Sequence, residues 1–86
     1  MEFTDHAVQK FKILKRLGFS VSMEQVARVV DNPDRVDAGW KGRFIASSKL
    51  NREHVLRVVY EKVDDRKLMV TFYPTRRERY EGQLQS

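Results

Sequence analysis

Two apolar stripes at helical spacing are followed by three stretches in which apolar and polar residues alternate. Ala7, Val8, Phe11, Leu14 and Leu17 predict a first helix with one buried side. Thr4 suits its N-cap, Asp5 its first turn, and Gly18 its end, where a left-handed residue is favoured. Ser22 followed by Gln25 is a capping-box pair, and Met23, Val26, Ala27 and Val30 form the apolar face of a second helix. Asn32-Pro33-Asp34 stops it, because proline disfavours helical geometry in the preceding residue. Arg35-Val36-Asp37 then reads as a short edge strand and Ala38 to Gly42 as a turn.

Beyond Gly42 the side-chain period is two. Phe44, Ala46, Ser48 and Leu50 alternate with Arg43, Ile45, Ser47 and Lys49. Leu56, Val58 and Tyr60 alternate with Val55, Arg57, Val59 and Glu61, and Leu68, Val70 and Phe72 with Lys67, Met69, Thr71 and Tyr73. Turn parity decides which sets share a face. A three-residue loop at Asn51-Arg52-Glu53 sets Ser48 against Leu56, Ala46 against Val58 and Ser47 against Arg57. A three-residue loop at Asp64-Asp65-Arg66 sets Val63 against Lys67, Val59 against Thr71 and Arg57 against Tyr73. An even loop there would place Arg57 among Leu68, Val70 and Phe72 and bury a charge without a partner. The odd register is therefore preferred. It gives a core face of Phe44, Ala46, Leu56, Val58, Leu68, Val70 and Phe72 and an open face carrying Arg43, Lys49, Arg57, Thr71 and Tyr73. Pro74 should end the last strand. Thr75 with Glu78 repeats the capping pattern, so TRRERY is expected as a helical turn or short C-terminal arm, fraying from Glu81. The fold class is α+β, with two N-terminal helices packed on a three- to four-stranded antiparallel sheet.

Length adds that residues 1–86 should form one domain with a modest core, ordered over about 3–80. The balance of 17 basic to 12 acidic residues, net +5, favours an anionic partner such as nucleic acid or an acidic protein. No cysteine is present, which removes disulfide and thiolate chemistry. No apolar run approaches the ~20 residues of a membrane span, and MEFTDHAVQK lacks a signal-peptide core, so a soluble cytoplasmic protein without a membrane partner is expected. His6 and His54 stand alone rather than in ligand-spaced pairs, and no metal or other cofactor is expected.

The open face carries the candidate chemistry. Metal-independent RNA cleavage needs a base for the ribose 2′-hydroxyl, cations for the charge on phosphate and an acid for the departing oxygen. Lys49, Arg57, Thr71, Tyr73 and Arg76 offer such groups on one surface; the competing reading is an ordinary Arg57–Tyr73 cross-strand pair on a solvated face. His6, in the first turn of helix 1, could reach the sheet edge as an acid or base, or be a partly buried surface residue. His54, at a strand start, reads as structural. Arg43 on the face and Arg76, Arg77 and Arg79 in the arm are candidate phosphate contacts, and Trp40 a candidate base-stacking residue. Ile45, Val55, Val59 and Met69 on the same face also fit an interface, including that of a homodimer.

His6-Ala7 with the basic helix after it, Gly18, Asn32-Pro33-Asp34, Leu56-Arg57-Val58-Val59-Tyr60 and Val70-Thr71-Phe72-Tyr73-Pro74 resemble the small DUF4258 domains. The closing TRRERY resembles the Arg-rich end of the BrnT toxins. Both families are similar to the RelE and ParE toxin superfamily, in which two helices lie on a twisted antiparallel sheet. The resemblance runs from Phe3 to about Tyr80, and Lys10 and Leu17 depart from its pattern. It implies a toxin-like endoribonuclease acting on mRNA, free or on the ribosome, with His6, Arg57, Thr71 and Tyr73 at the site and a cognate antitoxin as partner. The alternative is a non-catalytic module binding nucleic acid or protein through the basic face.

Overall fold

A computed structural model describes residues 2–84, with side chains as far as Tyr80. The order of elements is β1 (Glu2–Phe3), α1 (Asp5–Arg16), α2 (Met23–Asp31), β2 (Arg35–Ala38), β3 (Phe44–Lys49), β4 (His54–Val63), β5 (Arg66–Arg76) and α3 (Arg77–Leu84). The α+β class and the two helices on a sheet are as expected, but the sheet has five strands, ordered β1-β5-β4-β3-β2, with β1 parallel to β5 and the rest antiparallel.

Local chemistry sets the helix ends. Thr4 Oγ1 accepts from the Ala7 N–H at 3.1 Å and caps α1. Gly18, at φ +92°, closes it in a Schellman motif: Phe19 N–H reaches Leu14 O at 2.8 Å and Gly18 N–H reaches Lys15 O at 3.1 Å. In α2 the capping box is complete, with Ser22 N–H on Gln25 Oε1 at 2.9 Å and Gln25 N–H on Ser22 Oγ at 3.1 Å.

Ala7 and Leu14 of α1 and Val26, Val29 and Val30 of α2 pack on Ala46, Leu56, Val58, Tyr60, Met69 and Phe72. Phe11 bridges the layers, its ring 4.6 Å from Phe72 and 5.8 Å from Phe3. The expected stripes are wider than what is buried. Val8, Leu17 and Met23 are exposed, because each helix meets the sheet along only part of its face, while Val29 joins the core instead.

The β3–β4 register is as expected, with Ser48 opposite Leu56, Ala46 opposite Val58 and Ser47 opposite Arg57. The β4–β5 turn is not. Val63 pairs with Arg66, so the loop is Asp64-Asp65, an even count, and Asp64 takes φ +57°. A β-bulge corrects the parity. Tyr60 pairs with Met69 but Val59 with Thr71, leaving Val70 as the extra residue, and Arg57 still lies opposite Tyr73. The exchange moves Met69 into the core, fully buried, and puts Leu68 beside Glu61 on the other face. Thr4 stitches the bulge: its N–H reaches Met69 O at 3.0 Å and its hydroxyl donates to Val70 O at 2.9 Å. One side chain thereby caps α1 and satisfies the carbonyl that the bulge displaces.

Pro74 does not end β5, which continues to Arg76. β1 pairs only with Leu68 and Met69, so Pro74 lies on an open edge, where a missing N–H is tolerated. Thr75 is still in the strand, opposite Val55, and does not cap α3. The arm expected to fray from Glu81 is helical to Leu84; Gln85 and Ser86 lie outside the described residues. No described helix is long and apolar enough to cross a membrane.

Candidate nucleic-acid interface

The face of the sheet turned away from α1 and α2 is centred on Arg57. Its cross-strand neighbours are Ser47 in β3 and Tyr73 in β5. Arg57 Nε donates to Ser47 Oγ at 3.2 Å and a terminal nitrogen donates to Asp37 Oδ2 at 3.3 Å. Asp37 reaches this face because β2 pairs it with Ile45, and its other oxygen accepts from Arg35 Nε at 2.8 Å. One carboxylate thus serves two guanidinium groups, so the trio Arg35, Asp37 and Arg57 keeps one positive charge unbalanced.

α3 folds back over one end of this face. The Tyr80 ring lies 5.7 Å from the Arg57 guanidinium carbon, a cation–π distance, and Val55 and Ser47 are buried. Beside them is a concavity of about 250 Å³ whose wall includes Lys49, Arg77, Tyr80 and Asp34. Asp34 accepts from Ser48 Oγ at 3.2 Å. Ile45, Val59 and Thr71 are half-buried on the uncovered part of the sheet. At the far end Arg43 Nε is engaged by Glu61 Oε1 at 2.7 Å.

Arg57, Lys49, Thr71 and Tyr73 are therefore brought to one face, as the register required. His6 is not among them. It is exposed in the first turn of α1, in the helix layer that covers the opposite face. Arg76 is also displaced. It pairs with His54, and the alternation that turns Tyr73 toward Arg57 turns Arg76 to the helix side. Arg77 lies in the wall beside Lys49, whereas Arg79 joins Arg76 around a second concavity. Trp40 is 79% exposed in the β2–β3 turn, with Lys41 Nζ 4.7 Å from its ring. Trp40 and Arg43 lie at the opposite end from Lys49, about 20 Å away by strand rise, so with the Arg76–Arg79 pair the basic contacts form three groups. Met69, expected on this face, is in the core, and Val55 lies under α3.

Asp37, Ser47 and Tyr80 were not singled out by sequence reasoning. The alternation of Arg35 and Asp37 along an edge strand was the available signal for Asp37, and it lacked only the β2–β3 register. The chain matches no family model, no curated protein and no solved structure.

Proposed function

We propose that this protein is an RNA-binding domain whose ligand lies along the open sheet face, its phosphates against Lys49, Arg57 and Arg77 and its bases against Tyr73 and Tyr80. The observation that carries the reading is the convergence of Arg57, Lys49 and Tyr73 on the one face that α1 and α2 leave uncovered, with Arg77 and Tyr80 arriving from α3. Arginine's planar fork retains donors for phosphate beyond those used on Ser47 and Asp37. Stacking on tyrosine suits single-stranded RNA of mixed sequence. The test is binding of a labelled single-stranded RNA at several salt concentrations. Affinity should fall as salt rises, and Lys49→Ala and Arg57→Ala should each flatten that dependence by about 0.7 in log–log slope. Binding that is indifferent to salt and to both substitutions refutes the reading.

A second reading is favoured by one observation, the Arg57–Tyr73 pair directly across the β4–β5 ladder. This is the toxin-like, metal-independent endoribonuclease of RelE-like architecture, with Arg57 stabilising the charge on phosphate and Tyr73 passing a proton. Half-buried Ile45 and Val59 on the same face would then lie beneath an antitoxin segment. Cleavage of RNA to 2′,3′-cyclic phosphate or 3′-phosphate ends, lost in both Arg57→Ala and Tyr73→Phe, separates this reading from simple binding.

A further inference from the structure

We propose that the concavity at the end of the sheet, walled by Phe19, His54, Arg76 and Arg79, is a ribonucleotide-binding site. In it the two arginines hold the phosphate, Phe19 carries the base and His54 accepts a hydrogen bond from a ribose hydroxyl. The concavity measures about 710 Å³, against about 250 Å³ for the one beside Lys49, and lies where β5 passes into α3. Arg76 and Arg79 are exposed and lack an ion-pair partner among the described residues; Glu78 is the carboxylate in the same wall. The pair therefore leaves one positive charge unbalanced, enough to favour a singly or doubly charged phosphate over a neutral ligand.

His54 is positioned by its neighbours. Asn51 Oδ1 accepts from the backbone N–H groups of Glu53 at 2.9 Å and His54 at 2.8 Å, and lies 3.1 Å from His54 Nδ1. The tautomer that donates from Nδ1 to this oxygen carries its lone pair on Nε2, the nitrogen assigned to the ribose hydroxyl. The ring is braced edge-to-face on Phe19 at 4.8 Å, and Phe19 is itself fixed by the Schellman closure of α1. A lone-pair nitrogen, two arginines and an aromatic ring in one wall match, respectively, the hydroxyl, phosphate and base of a nucleotide. The open face offers no imidazole, so this wall supplies a group that face lacks.

The wall also includes Tyr73, which the open face uses. The site deepens the RNA-binding reading, since a mononucleotide is the repeating unit of RNA; substitutions at Arg76, Arg79 and His54, none of them on the open face, test it apart. The full chain is titrated, under NMR observation, with inorganic phosphate, with AMP, with 2′-deoxy-AMP and with a short single-stranded RNA. AMP should give saturable shifts at the His54 and Phe19 rings and at the Arg76 and Arg79 side chains. Phosphate alone should move only the arginines. Arg76→Ala and Arg79→Ala, both surface changes that leave the core intact, should each weaken AMP about tenfold. The deoxy compound should bind several-fold more weakly than AMP, and His54→Phe should remove that difference while leaving stacking. AMP binding here without RNA binding upholds this site and retires the open-face reading. RNA binding that depends on Arg57, with no saturable AMP shift at His54 or no effect of either arginine substitution, does the reverse.

Discussion

Replacing Asp37 by Asn should weaken the fold slightly and tighten RNA binding. The substitution keeps the side-chain shape and one carbonyl oxygen but removes the charge shared by Arg35 and Arg57. The Arg57 and Asp37 side chains are 14% and 27% exposed, between the surface pairs that contribute about 0–1 kcal/mol and the fully buried pairs whose breakage costs about 3–5 kcal/mol. At 3.3 Å their contact is longer than the ~2.7–2.9 Å of a strong charge-assisted bond. Arg57 also retains Ser47 Oγ and the Tyr80 ring, the latter contributing about 0.5–1 kcal/mol. The expected loss is therefore about 1 kcal/mol, read as a lower urea midpoint at unchanged m-value. On the RNA side, the Arg35 guanidinium is released to phosphate beside Arg57, which keeps its own contact and loses a competing carboxylate. The salt dependence should steepen by about 0.7 for the one new contact, and affinity at low salt should rise about tenfold. Denaturation and RNA anisotropy on the same preparation supply both readouts. A variant that loses the expected stability while its RNA affinity and salt slope stay unchanged would show that Arg57 is a structural cation and refute the reasoning.

The bulge and the Thr4 stitch make two further predictions, each measurable by denaturant unfolding. Met69→Ala should cost about 2–5 kcal/mol, as for a fully buried methionine, while Leu68→Ala, half-buried on the other face, should cost clearly less; equal costs would mean that the parity shift at Val70 is absent. Thr4→Val, which keeps the shape but removes both the α1 cap and the bond to Val70 O, should cost about 2 kcal/mol, and Thr4→Ser should recover most of it.

Much of the fold was legible because its signals are local. Thr4, Gly18, and Ser22 with Gln25 announce helix ends within a few residues, and the Asn51–Glu53 loop length alone aligns β3 with β4. Partner-dependent features were not legible. β1 is two residues long and exists only because Glu2 and Phe3 meet β5 across most of the chain. How much of each apolar stripe is buried depends on the crossing of helix and sheet, so Leu17 and Met23 look like core residues in sequence and are exposed in the fold.

The β4–β5 hairpin separates the two kinds of information most clearly. The loop has two residues where alternation predicts three, yet the pairing of Arg57 with Tyr73 is present. The reason lies in relative cost. A two-residue turn with Asp64 at positive φ asks for about 1–2 kcal/mol of backbone strain at most, and a bulge for one unpaired residue whose carbonyl Thr4 then satisfies. Burying the Arg57 charge without a partner would cost several times more. Arg57 therefore constrains the register, and the turn and bulge adjust to it. That ordering extends to the candidate site. Arg57 and Lys49 share a face because placing either charge in the core is prohibitive, and Tyr73 follows from its register with Arg57; this is visible in the alternation of residues. Asp37 and Tyr80 join them through the β2–β3 register and the return of α3, weaker and longer-ranged choices that alternation does not encode.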